Sequence, residues 1–221
     1  MADDFRIVPA GDAVVVVSFA ERIDLVVNQH AVELAERFRN VSLTGVRDVV
    51  STFRSVAVYF DPLRTDYQRM LDELRRLASS EPPAQSAARP PIEIPVKYGG
   101  EFGPDLADVA RFAKASEQDV VRIHSGATYR VFMLGFVPGF AYMGTVDQRI
   151  AAPRRANPRT SVPTGTVGIA GPQTGIYPSE IPGGWQLIGR TAIRPFDLSR
   201  ANACLFNPGD TVRFVAVEGL S

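Results

Sequence analysis

The chain has 221 residues, 45% of them hydrophobic, which is enough for one large domain or two modest ones with a real core. Lys plus Arg and Asp plus Glu number 24 each, so no global basic field exists to attract a nucleic acid or an anionic membrane, and neither is expected as a partner. The lone cysteine, Cys204, excludes an internal disulfide, and the longest apolar run, 13–17, is far below the roughly 18 residues that cross a bilayer; with an acidic rather than basic start, these features predict a cytoplasmic protein with no transmembrane segment.

In chain order, the β-branched run at 13–17 reads as a buried strand. Val27, Ala31, Leu34, Ala35 and Phe38 follow at helical spacing, with Asn28, Glu36 and Arg37 assigned to the polar side and Glu33 four residues before Arg37 as an ion pair. Residues 46–53 and 55–60 alternate as a strand hairpin. Thr65 is the expected N-cap of a second helix striped by Tyr67, Met70, Leu71, Leu74, Leu77 and Ala78. The order is βαββα, half of a ferredoxin-like sandwich, and it defines an α+β N-terminal domain over 1–80.

Residues 81–91 carry four prolines and no large apolar anchor, so they read as a linker to a second domain over 92–221. There Ile92, Ile94 and Val96 alternate around Pro95, which points to a strand near a sheet edge. A short helix is expected within 104–115, and Ser116-Glu-Gln-Asp119 is a capping-box start for another ending near Ser125. From Tyr129 onward the chain is rich in Gly, Pro and short Val, Ile, Phe and Thr runs, the pattern of a compact β-barrel.

Several chemical classes are excluded or left open by the residues themselves. Two histidines, His30 and His124, cannot build a His-rich metal centre, and neither a Cys-x-x-Cys nor a His-Glu-x-x-His pair is present, so no metal is expected. No P-loop and no Gly-x-Ser-x-Gly elbow occurs. Arg154, Arg155 and Arg159, stiffened by Pro153 and Pro158, read either as guanidinium forks for a carboxylate or phosphate or as a solvated basic loop. His124, at a helix end, either orients a ligand or caps the helix. Phe140, Tyr142, Tyr177 and Trp185 are either pocket walls or core. Cys204, in an apolar context, reads as a buried packing residue.

Four segments carry a resemblance when taken together and in order: Gly-Phe-Val-Pro-Gly-Phe at 135–140, Pro-Arg-Arg-Ala-Asn-Pro-Arg at 153–159, Val-Pro-Thr-Gly-Thr-Val-Gly-Ile-Ala-Gly at 162–171 and Pro-Gly-Gly-Trp-Gln-Leu-Ile-Gly-Arg-Thr at 182–191. With Lys-Tyr-Gly-Gly-Glu-Phe-Gly-Pro-Asp-Leu at 97–106 and Asn-Pro-Gly-Asp at 207–210, the chain resembles the KipI / allophanate hydrolase subunit 1 family over most of its length. The resemblance implies a cyclophilin-like β-barrel after the α+β domain. It also implies one subunit of an ATP-dependent amide hydrolase, foremost a 5-oxoprolinase opening 5-oxoproline to glutamate, that is inactive alone. The implied partners are a second subunit like allophanate hydrolase subunit 2 and a LamB/YcsF-like subunit, with ATP used by the whole complex. Under it, Arg154, Arg155, Arg159 and His124 are the expected catalytic groups, and Phe140, Tyr142, Gln173, Tyr177 and Trp185 the expected substrate-side groups. The other function the resemblance allows is a non-catalytic inhibitor of a histidine kinase.

Overall fold

The computed structural model describes residues 5–22, 24–80 and 90–219, and the chain divides into two units, 1–88 and 89–221. The stretch expected as a linker, 81–91, lies outside the described residues except for Pro90 and Pro91.

The first unit runs β1 (Arg6–Pro9), β2 (Val14–Ser18), α1 (Leu25–Val41), β3 (Val46–Ser51), β4 (Ser55–Phe60) and α2 (Tyr67–Ser79). Its antiparallel sheet has the order β1-β2-β4-β3. Because β2 and β3 both run against β4, they are parallel to one another, with α1 as the crossover and β4 inserted between them, the split β-α-β of a ferredoxin-like sandwich. The residue pattern predicts three strands; the fourth, β1, adds to the free edge of β2. Four residues ending in proline are too few to show a period of two, which is why β1 is silent in the sequence.

The core of this unit gathers Val15, Val17, Val56 and Val58 from the sheet with Ala31, Leu34, Phe38, Met70 and Leu74 from the helices. Three local expectations change. Asn28 is buried, not on the polar face, and its amide donates to the Thr52 carbonyl at 3.1 Å, satisfying a turn the sheet leaves open. Glu33 accepts from Gln29 Nε2 at 2.8 Å while Arg37 donates to the Leu77 carbonyl at 3.2 Å, so each side chain of the expected pair bonds elsewhere. The N-cap of α2 is Asp66, whose Oδ1 accepts from Arg69 N at 2.9 Å, one residue beyond Thr65.

The second unit begins with β5 (Ile92–Tyr98), α3 (Leu106–Ala113) and α4 (Glu117–Ser125), the last opened by a complete capping box between Ser116 and Asp119. Eight strands follow: β6 (Thr128–Leu134), β7 (Ala141–Gly144), β8 (Arg159–Val162), β9 (Thr166–Ala170), β10 (Gln173–Ile176), β11 (Ile181–Gly183), β12 (Gln186–Arg190) and β13 (Thr211–Ala216). Seven strands close a barrel in the order β10-β7-β6-β13-β5-β12-β9, and β8 and β11 form a separate ribbon. The α+β class with a closed barrel is therefore the fold.

Pro95 lies inside this barrel and not at a free edge. Val217 N donates to the Val96 carbonyl, so the backbone at 96 faces β13 and that at 95 faces β12. There β12 reaches only Lys97 and Tyr98, and the missing N–H of Pro95 breaks no ladder bond. Val96, Val131, Met143, Ile169, Ile176, Ile188 and Phe214 fill the barrel interior. A second apolar cluster, on the opposite face of the β7, β9, β10 and β12 wall, holds Phe140, Tyr177, Trp185 and Leu187 with Val162 of the ribbon.

Candidate functional site

The outer face of the barrel wall is built around aromatic rings. Trp185 is buried beside Phe140 (centroids 5.3 Å) and within 6.0 Å of Tyr142, and Phe140 also meets Tyr177 at 5.5 Å, all edge to face. Gly175 of β10 leaves the space the indole occupies: a Cβ there would lie 3.3 Å from the ring and 2.7 Å from the Ala141 carbonyl oxygen. Gly183 lies against Tyr177 so closely that a Cβ would come within 2.3 Å of its phenol oxygen. Phe136 adds an exposed ring, 64% accessible, at 5.8 Å from Phe140, and it does so from a left-handed backbone with φ of 69° that a non-glycine residue rarely adopts. Gln173 belongs to the same outward face by strand alternation with Thr174, opposite Ala170 and Gly144.

The arginine loop at 153–159 is tied to this face. Arg155 N donates to the Gly184 carbonyl at 2.8 Å, and Gln186 Nε2 donates to the Pro153 carbonyl at 2.9 Å. The three guanidiniums then separate into two kinds. Arg159 forms a two-pronged bond to Asp105, Nη1 to Oδ2 at 2.8 Å and Nη2 to Oδ1 at 2.7 Å, and Arg155 Nη1 reaches the same Oδ1 at 2.9 Å. Arg154 is exposed and has no carboxylate partner among the described residues.

Arg154 nevertheless acts on its neighbours. Burial pushes the phenol of Tyr142 above its usual 10.0, and the Arg154 charge pulls it back down. Burial also raises the Tyr177 phenol, against a hydrogen bond from the Trp185 backbone N–H and the charges of Arg154 and Arg159. The Arg154 guanidinium and the half-buried Tyr142 thus lie over an aromatic wall whose Tyr177 phenol is itself buried. An arginine fork suits a planar anion such as a carboxylate.

His124 is elsewhere. It is fully buried in the barrel interior, stacked on Phe214 at 4.6 Å, with Tyr98 Oη at 2.8 Å from Nδ1 and Thr174 Oγ1 at 2.9 Å from Nε2. Thr174 donates its hydroxyl proton to the Gly168 carbonyl, so it accepts from Nε2–H, and Nδ1 accepts from Tyr98. Both ring nitrogens are spent, and burial lowers the imidazole pKa to about 3. This geometry gives a neutral core histidine, and the expectation that it faces a ligand or caps α4 is not met. Cys204, expected to be buried, is half-buried and forms an isolated bridge with Phe196.

Asp105 is the residue that sequence reasoning misses. It stands in the 97–106 segment, but nothing local signals that it captures arginines 50 and 54 residues further on. Among the described residues, no group of three or more His, Cys, Asp and Glu side chains is placed to hold a metal ion, and no helix is long and apolar enough to cross a membrane.

The order of these segments matches a known family model, the carboxyltransferase domain, subdomain C and D, over residues 5–206. The chain belongs to this family. Among its relatives, the B component of 5-oxoprolinase from Escherichia coli O157:H7 is 42% identical, covering 93% of each chain. The protein of the same name from Bacillus subtilis (strain 168) is 37% identical over 97% of this chain and 93% of its own. The crystal structure of TTHA0988 superposes with a TM-score of 0.83 at 36% identity over 93% of this chain, which spans only 40% of that longer one.

Proposed function

We propose that this chain is a subunit of an ATP-dependent 5-oxoprolinase, in which its aromatic face and arginine loop hold the substrate's carboxylate while the lactam is opened. The site is carried by one observation: among the described residues, Arg154 alone of the three loop arginines has no carboxylate partner, and its charge pulls the Tyr142 phenol pKa down. The substrate is supported by relatives that bear the name of a 5-oxoprolinase component and match over nearly their whole length. Opening the lactam breaks the ring C–N bond, places the oxygen of water on the carbonyl carbon as a new carboxylate and returns a proton to nitrogen, giving glutamate. Hydrolysis of ATP to ADP and phosphate drives it. This chain contributes the anchor: the guanidinium fork takes the carboxylate, and the rings exclude water from one side of the substrate.

Partner subunits, one resembling allophanate hydrolase subunit 2 and one LamB/YcsF-like, supply the remaining groups and the ATP site, since this chain carries no P-loop. It works in the cytoplasm and has no turnover alone.

The test is reconstitution. The assembly, given 5-oxoproline and ATP, releases glutamate, and leaving out this chain abolishes release. In that assembly Arg154→Ala lowers kcat/KM by an amount equivalent to about 2 to 4 kcal/mol, and Arg154→Lys recovers only part, because a point charge does not reproduce the planar fork. Full glutamate release without this chain, or wild-type kcat/KM in Arg154→Ala, overturns the assignment.

A further inference from the structure

Asp105 joins three segments that are far apart in the sequence: the N-terminus of α3, the arginine loop and the start of β12. Its side chain is almost wholly buried and takes four hydrogen bonds, from Arg155 Nη1, Arg159 Nη1, Arg159 Nη2 and the backbone N–H of Leu187, the last at 2.7 Å. A carboxylate offers about four lone-pair sites, so these partners fill it. Asp105 N also donates to the Leu187 carbonyl at 2.9 Å, which fixes the carboxylate against β12. The nearby Gly103 permits that approach, since a Cβ there would lie 2.1 Å from the Ile188 carbonyl oxygen.

Two consequences follow for Arg154. First, both of its chain neighbours are held, Pro153 through its carbonyl to Gln186 and Arg155 through its backbone to Gly184 and its guanidinium to Asp105. Its own guanidinium is the one of the three that has no carboxylate partner among the described residues. Second, a carboxylate already filled by Arg155, Arg159 and Leu187 cannot draw Arg154 into an ion pair, so the free cation stays free. An asparagine in this place would offer one acceptor and turn an N–H₂ toward guanidinium donors, losing the fork.

We propose that Asp105 is a positioning residue, which by clamping Arg155 and Arg159 and offsetting one of their two charges presents Arg154 to an anionic ligand on the outer face near Tyr142. This rests on the reading of Arg154 as the carboxylate anchor. Loss of the clamp lowers ground-state and transition-state binding alike, so it acts on KM, whereas a mere loss of folded protein acts on kcat.

The test uses the full chain in the reconstituted assembly and by itself. In the assembly, Asp105→Asn raises KM for 5-oxoproline about tenfold and changes kcat by less than about threefold, and the double variant with Arg154→Ala is no worse than Arg154→Ala alone. An unchanged KM, or losses that multiply in the double variant, overturns the proposal. By itself, the chain reports through its single tryptophan, Trp185, next to the Gly184 carbonyl that holds Arg155. Asp105→Asn makes Trp185 more accessible to acrylamide while melting stays cooperative; wild-type quenching in a folded variant overturns the clamp. If the wild-type assembly opens no 5-oxoproline, the functional reading fails and the quenching result alone decides the role of Asp105. Should Asp105→Asn not fold, Arg159→Gln, which leaves Asp105 bonded to Arg155 and Leu187, is held to the same KM, double-variant and quenching outcomes.

Discussion

The two faces of one barrel wall treat polar groups in opposite ways. Inside, His124, Tyr98, Tyr129 and Thr174 form a closed set: Tyr129 donates to the His124 carbonyl at 2.9 Å, and each nitrogen of the imidazole has its partner. Outside, Arg154 has no carboxylate partner among the described residues, and Phe136 holds an apolar ring in solvent from a left-handed backbone. The interior spends its polar groups on itself and therefore on stability. The exterior leaves them open, which is the condition for binding something else.

The contrast between the faces breaks most sharply at His124. His124→Ala leaves a cavity and strands the Tyr98 hydroxyl, and should cost about 3 to 5 kcal/mol in denaturant unfolding while the KM of the folded enzyme stays put. A KM change of more than a few fold would move His124 to the working face after all.

Acid probes the same residue. Its folded pKa of about 3 lies below the usual 6.5, so between those values the unfolded chain binds the extra proton and folding weakens as pH falls. The contribution is complete above pH 6.5 and is lost at roughly 1 kcal/mol per pH unit on the way down to about 3. His124→Gln should flatten the pH dependence of the denaturant midpoint across that window; an unaltered slope assigns the acid sensitivity to other groups.

On the outer face, Gly183→Ala pushes a methyl into the Tyr177 phenol and should destabilise by about 1 to 3 kcal/mol, with a shift in Trp185 emission. The smallest effect belongs to Phe136. Phe136→Gly gives up one edge-to-face contact but relieves the left-handed backbone, so the two terms nearly cancel and stability changes by less than about 1 kcal/mol. A loss of several kcal/mol there would mean that the ring is part of the core and that the outer face is more closed than its exposure indicates.

What can be read from the sequence follows the range of each interaction. The Val27-to-Phe38 stripe and the Ser116 capping box are encoded within four residues and are legible, as is the barrel pattern after Tyr129. The edge strand β1 is not, being too short for a pattern. In the site, the density of arginine at 153–159 is visible, but which guanidinium remains free depends on Asp105, across about fifty residues and a change of element. His124 is the same lesson with opposite sign: at a helix end its residue type is ambiguous, and only the register that sets it between Tyr98 and Thr174 decides.

The position of β13 has a temporal meaning. In the first unit, two of the three strand pairings are hairpins between chain neighbours, β1 with β2 and β3 with β4. In the barrel, β13 is wedged between β5 and β6, with Val212 opposite Ile92 and also opposite Tyr129. A chain made from its N-terminus can therefore assemble the first sheet early, but the barrel wall keeps a gap until Thr211–Ala216 leaves the ribosome, and its closure is a late, slow event governed by long-range contacts. Until that moment the unpaired sides of β5 and β6 are exposed strand edges, so a translating ribosome stalled shortly before residue 211 would carry the most aggregation-prone form of this protein.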